Sequence, residues 1–383
     1  MRFDEVVANL KKNKQTRLEG KLLGIPWLDL PRFNRVLPGI QKGRYYGVTA
    51  NQKVGKSMLA NFLFVYQPIK WAFIHQNIDL KIIYFSLELS EEELKRQIIC
   101  NRLASEYKVF IDPQNLAAMF EGFIPNEEVF ELIKKEKEYF DFVDSVLTIV
   151  TNVRNPTGMY KYVRGVARER GKFYLNKEEV NPEVTNGLYD NYVPNNPDEH
   201  IIVCTDHVGL MSVEKGEDKY TTIDKWSSTY CLMMRDRFNY SIVDIQQQTA
   251  LSEQQQFTLK GDTIIAKLRP SPDCLADNKS TSRNFNVLLS LFSPARFNIL
   301  KYPEHVPEYQ KHDISLLNDN YRELSILLNR NGVSNASLDL LFDGAVCTFA
   351  ELPLPNPELY SNYKEWKKKH DIDKYKEVTI NNK

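Results

Sequence analysis

A glycine, a lysine and a serine stand side by side at positions 55–57, between an apolar run and a segment of helical periodicity. Backbone N–H groups at a helix N-terminus bind phosphate, and a lysine and a hydroxyl at its first positions add a charge and a Mg²⁺ ligand. The pattern predicts an ATP site in which Lys56 contacts the β- and γ-phosphates and Ser57 ligates Mg²⁺. The residues predicted to surround the phosphates are Ala50, Asn51, Gln52, Lys53, Val54, Gly55, Lys56 and Ser57.

One position departs from the usual pattern GxxxxGK[ST], because Ala50 takes the place of the first glycine. The loop keeps its chemistry if the backbone dihedral angles at Ala50 stay in a region that alanine can reach. The alternative is a Gly-Lys-Ser turn that only caps a helix, and the strand and helix patterns on either side argue against it.

Two carboxylates follow apolar runs that have the pattern of buried strands. Asp206 closes the run 201–205 and is predicted to complete the Mg²⁺ site. Glu88 follows the run 82–87 and is predicted to orient the water that attacks the γ-phosphate. Each has a plainer alternative: Asp206 as a loop cap, and Glu88 as the start of a helix whose residues 90–93 resemble a capping box.

Short apolar runs that alternate with helical patterns set the fold class. They predict an α/β protein with a mostly parallel central sheet that is flanked by helices. The runs lie at 44–49, 81–87, 201–205 and 240–245. The expected organisation is an N-terminal arm helix and linker over 1–23, a core over 24–352, a surface insertion at about 171–199 and a C-terminal tail over 353–383.

The composition is that of an ordinary globular protein, since 42% of the 383 residues are hydrophobic and 26% are charged. Mixed charge at the start of the chain and short apolar runs predict a cytoplasmic protein without a membrane span. The 50 Lys and Arg residues balance 50 Asp and Glu residues, so binding of nucleic acid would need a local basic surface. The five cysteines are scattered without a CxxC pair, which supports neither a disulfide framework nor a zinc site.

An ordered set of motifs resembles the DnaB family of replicative helicases, which have a RecA-like P-loop core. The matching segments are LPGIQKG at 37–43, FSLEL at 85–89, DHVGLM at 206–211, LRPSPDCL at 268–275 and LNRNG at 328–332. The resemblance implies that Glu88 and Asp206 have the roles given above and that Arg330 reaches the ATP of a neighbouring subunit. It also places a nucleotide-sensing glutamine at Gln246, with Gln247 and Gln248 as alternatives.

The chain departs from the family in three ways. Leu328 stands where the family has a lysine beside its arginine, so the trans-acting pair is reduced to Arg330 unless another cation substitutes. The helical N-terminal domain of cellular members has no counterpart, and the linker between Glu88 and Asp206 is long. The pattern is typical of a divergent, phage-like core, which would act in the host cytoplasm.

The resemblance implies an ATP-dependent, ring-forming DNA helicase, a hexamer that translocates on single-stranded DNA during replication, with ATP and Mg²⁺ as cofactors. A helicase loader or primase is an implied partner. DNA contacts are predicted at Lys260, Lys267 and Arg269, and an ordinary solvated loop is the alternative. A RecA-like recombinase, a helicase-loader ATPase or a catalytically weakened nucleotide-binding module are the competing functions.

Overall fold

The fold is taken from a computed structural model of the chain. The structure describes residues 2–20, 23–76, 78–119, 124–185, 187–257, 264–365 and 378–379. Within these ranges, no helix is both long and apolar enough to cross a membrane.

A nine-stranded sheet forms the centre of the molecule. Its strands, in chain order, are β1 Tyr45–Ala50, β2 Leu80–Ser86, β3 Leu147–Val150, β4 His200–Asp206, β5 Ser241–Gln247, β6 Val287–Phe292, β7 Tyr321–Asn329, β8 Ser337–Asp343 and β9 Thr348–Glu351. The spatial order is β9-β8-β7-β6-β1-β5-β4-β2-β3. The six strands from β6 to β3 are parallel, and β7, β8 and β9 add an antiparallel edge. The predicted mostly parallel sheet is therefore confirmed.

Helices flank the sheet. They are α1 Phe3–Leu18, α2 Phe33–Val36, α3 Lys56–Asn61, α4 Gln67–His75, α5 Glu91–Tyr107, α6 Pro113–Leu116, α7 Glu127–Lys135, α8 Lys137–Val146, α9 Pro156–Arg170, α10 Lys219–Asp224, α11 Leu232–Arg237 and α12 Ile314–Leu317. A π-helical turn, Phe62–Tyr66, joins α3 to α4, and another, Lys225–Cys231, joins α10 to α11. Shorter 3-10 turns lie in the connecting segments.

The parallel strands read as continuous apolar runs because successive side chains enter different cores. In β1, Tyr46 packs on Phe64 of the π-helical turn at a ring distance of 5.1 Å, whereas Tyr45 bonds to Ser227, on the other face. A sheet that is buried on both faces has this pattern rather than an alternation of apolar and polar residues. The sheet therefore has an apolar core on each of its faces.

Helix α5 begins where the sequence predicts a capping box. The Ser90 hydroxyl accepts the Glu93 N–H at 3.2 Å, and the Glu93 carboxylate accepts the Ser90 N–H at 2.8 Å. These bonds satisfy two of the N–H groups that a helix leaves unpaired at its start. The capping box is confirmed, and it fixes the end of the turn that carries Glu88.

Three segments lie outside the central layers. Helix α1 has no buried residue, and its Phe3 side chain is 89% exposed. The segment 171–199 contains a three-stranded antiparallel sheet formed by Gly171–Leu175, Glu178–Val180 and Asn191–Pro194. Residues 357–365 are helical and bring Tyr363 against Leu317, whose carbonyl accepts its hydroxyl at 3.0 Å.

Candidate active site

The carboxyl ends of parallel strands meet at one edge of the sheet, and the predicted nucleotide residues follow those ends. Ala50 of β1 pairs with Gln247 of β5, and Ser86 of β2 pairs with Asp206 of β4. In open α/β sheets this edge is the usual place for ligands. The arrangement brings together side chains that lie far apart in the sequence.

The predicted phosphate-binding loop, residues 50–57, turns sharply between β1 and α3. Ala50 is the last strand residue and pairs with both neighbouring strands, so its backbone is extended and the condition for alanine at this place is met. Gly55 has a φ of 99°, and a Cβ there would lie 2.9 Å from Cζ of Phe342. Both the left-handed conformation and the close ring require glycine at this position.

Lys56 is buried without a partner. Its side chain is 8% exposed, and Nζ has no hydrogen bond to any part of the chain that the structure describes. Burial lowers the pKa of Lys56 to about 8, although the nearby carboxylates of Asp206 and Glu88 act in the opposite direction. Because an unpaired buried ammonium is costly, the loop suits an anion from outside the chain, and a triphosphate at a helix N-terminus is such an anion.

Ser57 and Asp206 lie together as ligands for one metal ion would. Ser57 Oγ donates to Asp206 Oδ1 at 2.9 Å, and Tyr84 Oη lies 3.0 Å from Oδ2 of the same carboxylate. Burial raises the pKa of Asp206, while the Lys56 ammonium lowers it. Mg²⁺ is commonly held by one or two protein oxygens together with phosphates and water, so this pair fits it. Among the described residues, no cluster of three or more Asp, Glu, His or Cys side chains could hold a metal by itself.

A cavity of about 630 Å³ opens over the loop, and it contains the second predicted carboxylate, Glu88. Glu88 is held near the end of β4 because the N–H of Leu87 donates to the carbonyl of Asp206 at 2.8 Å. The lining residues are Asn51, Gln52, Lys53, Gly55, Lys56, Ser57, Met58, Glu88, Gln247, Asp319, Arg322, Phe342 and Gly344.

The structure brings Gln247, rather than Gln246, to this cavity. The Gln246 amide donates to the carbonyls of Ala276 and Asn278 at 2.6 and 2.9 Å, and its oxygen accepts the Thr281 hydroxyl. These hydrogen bonds engage both atoms of the Gln246 amide within the protein, whereas the side chain of Gln247 lines the cavity. Successive side chains of a strand point to opposite faces, so a shift of one position along β5 decides which glutamine faces the cavity.

Two residues that no sequence motif indicated hold the loop. Arg322 is fully buried, and its Nε donates to the carbonyl of Val54 at 2.7 Å. Glu253 accepts the N–H of Gln52 at 2.6 Å and also pairs with Arg296. Neither belongs to a local motif, because each reaches the loop from a distant part of the chain.

Arg330 lies at the opposite, amino-terminal edge of the sheet. It follows β7, whose last residue Asn329 pairs with Val287 at the start of β6. The Arg330 side chain is exposed, and its Nε donates to the carbonyl of Phe285 at 2.8 Å. The six residues of β1 separate the two edges by about 20 Å at 3.3 Å per residue, so Arg330 is out of reach of its own phosphate-binding loop.

The predicted DNA-binding residues differ in their surroundings. Lys260 lies outside the described residues, and Lys267 is exposed. Arg269 is engaged inside the protein: its Nη2 and Nε donate to the Glu323 carboxylate at 2.8 and 3.1 Å. Glu323 is completely buried, and Arg269 counters the rise in its pKa that burial causes.

Solved structures share this fold. An ATPase domain matches with a TM-score of 0.61 and 15% identity, over 92% of this chain and 99% of its own. A DnaB-like replicative helicase, solved in a study of its interactions with primase, matches with a TM-score of 0.62 and 15% identity, over 92% of this chain and 67% of its own. No protein-family model and no curated protein matches the sequence. The chain therefore shares its fold with an ATPase domain and with a DnaB-like replicative helicase, which confirms the predicted fold class and the resemblance to a DnaB-type helicase core.

Proposed function

We propose that this protein is the ATP-hydrolysing motor of a DnaB-type DNA helicase that works as a ring of chains in replication.

 The observation that carries the proposal is the separation of two half-sites: the phosphate-binding loop lies at the carboxyl edge of the sheet and Arg330 at the amino edge. A complete site then requires two chains, each contributing one edge.

Within one chain, the residues at the carboxyl edge bind and orient the nucleotide. Lys56 would neutralise charge on the β- and γ-phosphates, and the N–H groups of the loop would hold their oxygens. Glu88, in the same cavity, would hold the attacking water in line with the γ-phosphate and accept its proton. Ser57 and Asp206 would hold Mg²⁺, which supplies charge neutralisation on the phosphate oxygens when it is bound.

The second chain would supply Arg330. An arginine at the γ-phosphate stabilises the charge of the transition state and is worth roughly 10³ to 10⁵ in rate. Hydrolysis would then depend on assembly, and a lone chain would turn over slowly. The proposed assembly is a ring, because a head-to-tail interface that closes produces one. The resemblance to the DnaB family makes six the number of chains that we propose.

The substrate of the motor in this proposal is single-stranded DNA. Lys267, which is exposed on the segment after β5, and Lys260 would hold its phosphates without reading its bases. The similar helicase of known structure was studied with primase, and we include a primase or a helicase loader among the proposed partners.

The test is a comparison of Arg330→Ala with the parent protein in a steady-state ATPase assay on single-stranded DNA. We expect a loss of at least roughly 10³ in kcat with ATP binding unchanged. Arg168→Ala, which removes an exposed arginine from helix α9, is the matched control and should keep the parent rate.

Mixed assemblies determine whether Arg330 acts across an interface. Lys56→Ala chains retain Arg330 and lack a working loop, whereas Arg330→Ala chains are the reverse, so mixtures should regain activity. Electron microscopy of the same samples separates rings from the filaments of a recombinase. Parent turnover by Arg330→Ala would refute the proposal.

A further inference from the structure

A second arginine, Arg44, lies beside Arg330 at the amino edge. It immediately precedes β1, and both of its terminal nitrogens lie within hydrogen-bond distance of the Asn331 amide, at 2.5 and 2.8 Å from the oxygen in the orientation that satisfies both atoms of that amide. In the same orientation the Asn331 nitrogen donates to the carbonyl of Arg330 at 3.0 Å. One amide therefore fixes Arg44 next to the backbone of Arg330.

The two guanidinium groups are held by neutral acceptors. Arg330 donates to the carbonyls of Phe285 and Arg283, and Arg44 to the amide of Asn331. In the described ranges, no carboxylate lies within salt-bridge distance of either arginine. The same edge also contains Arg235, which does have a carboxylate partner, since its Nε lies 2.6 Å from Oδ1 of Asp236.

Arg44 and Arg330 bring two positive charges to one edge of the sheet without a carboxylate partner among the described residues, and an anion bound at that edge would offset their repulsion. Leu328, two residues before Arg330, packs against the apolar core that contains Tyr45, so Arg330 is the one cation that the segment 328–332 offers to this surface. Arg44 supplies the second from the neighbouring start of β1. Asn286 joins the two positions, because its side-chain oxygen accepts the Tyr45 N–H at 2.8 Å and its carbonyl accepts the Arg330 N–H at 3.0 Å.

We propose that Arg44 enters the ATP site of the neighbouring chain together with Arg330 and contacts the triphosphate there. The inference rests on the proposed function and deepens it, since it names a second residue that acts across the interface. A triphosphate is favoured over DNA as the anion because the segment proposed to bind DNA follows the carboxyl end of β5, at the opposite edge.

The experiment compares Arg44→Ala, Arg44→Lys and Arg235→Ala in the DNA-stimulated ATPase assay. Arg44→Ala should lower kcat by roughly 10², the usual effect of removing one donor to a developing charge. Arg44→Lys keeps the charge but loses the forked donor geometry, so it should recover part of the rate. Arg235→Ala removes a charge from the same edge and should keep the parent kcat.

Mixing two variants again tests whether Arg44 acts in the site of the neighbouring chain. A gain in activity on mixing also shows that the Arg44→Ala chains are folded. Arg44→Ala chains keep an intact phosphate-binding loop, and Lys56→Ala chains keep an intact Arg44. Their mixture should therefore hydrolyse ATP faster than either variant alone. A mixture without this gain would overturn the inference.

The outcomes separate this inference from the function on which it rests. Parent kcat in Arg44→Ala, together with inactive Arg330→Ala, overturns the role of Arg44 and leaves the proposed function in place. Parent kcat in both variants overturns the proposed function itself. Unchanged kcat at saturating DNA with weaker DNA binding and a flatter salt dependence would assign the surface to DNA and also overturn the inference.

Discussion

Replacing Arg269 by alanine distinguishes a structural arginine from one that binds DNA. Arg269 is 35% exposed on its side chain, whereas the side chain of its partner Glu323 is 0% exposed. Removing the guanidinium would leave a buried carboxylate with the Tyr302 hydroxyl, 2.7 Å away, as its remaining strong donor. We therefore expect Arg269→Ala to unfold more easily than the parent protein.

The magnitude follows from the burial of the pair. Breaking a buried ion pair by removing one partner costs about 3–5 kcal/mol. The partial exposure of Arg269 and the retained Tyr302 bond reduce this to about 2–3 kcal/mol of unfolding free energy. The loss should shrink as the pH falls, because burial raises the pKa of Glu323 and protonation removes the uncompensated charge.

The assay is urea unfolding, combined with titrations of single-stranded DNA at several salt concentrations. Lys267→Ala is the matched control: this exposed lysine should leave stability unchanged and weaken DNA binding. The double variant Arg269→Ala with Glu323→Gln should regain much of the lost stability. Parent-like unfolding of Arg269→Ala combined with lost DNA affinity would refute the structural role and restore the prediction from sequence.

Two further predictions concern the nucleotide cavity. Glu88→Gln should lower kcat by roughly 10² to 10⁴ with ATP affinity nearly unchanged, because the amide fills the same space but cannot accept a proton from water. Steady-state turnover at the parent rate would contradict this role of Glu88. Glu253→Ala should strengthen ATP binding by about 1 kcal/mol, roughly fivefold in Kd, because it frees the Gln52 N–H and removes a negative charge beside the loop that is proposed to bind the phosphates. The measurement is calorimetric titration of each variant with ATP, and the control is Glu308→Ala, which removes an exposed carboxylate elsewhere. A lower ATP affinity in Glu253→Ala than in the control would contradict this reasoning.

The part of the site that lies in local motifs was predictable from the sequence. Residues 50–57 link a strand to a helix as their pattern predicts, and their spacing alone indicates which backbone groups would face a phosphate. Asp206 and Glu88 were selected because apolar runs end at them, and parallel strands bring such ends to one edge. The same alternation of strands and helices predicted the central sheet.

The residues that the sequence could not indicate act over long distances or depend on strand register. Arg322 reaches the carbonyl of Val54 across the sheet, and Glu253 reaches Gln52 from the segment after β5. The choice between Gln246 and Gln247 requires the face on which each side chain lies, which three adjacent glutamines do not reveal. Arg44 is separated from Arg330 by most of the chain, and only folding places them together.

The positions of Arg330 and Arg44 determine which edges of two chains would have to face each other in the proposed assembly. The hydrogen-bonded strands keep Lys56 at one edge and Arg330 and Arg44 at the other, so the arginines of a chain are out of reach of its own Lys56. In a linear stack, the two end chains are incomplete. The phosphate-binding loop at one end has no arginines facing it, and the pair of arginines at the other end has no nucleotide site to enter. A closed ring leaves neither, because each carboxyl edge then meets the amino edge of the next chain. Under the proposed function, ring closure is therefore the assembly in which every nucleotide site is complete.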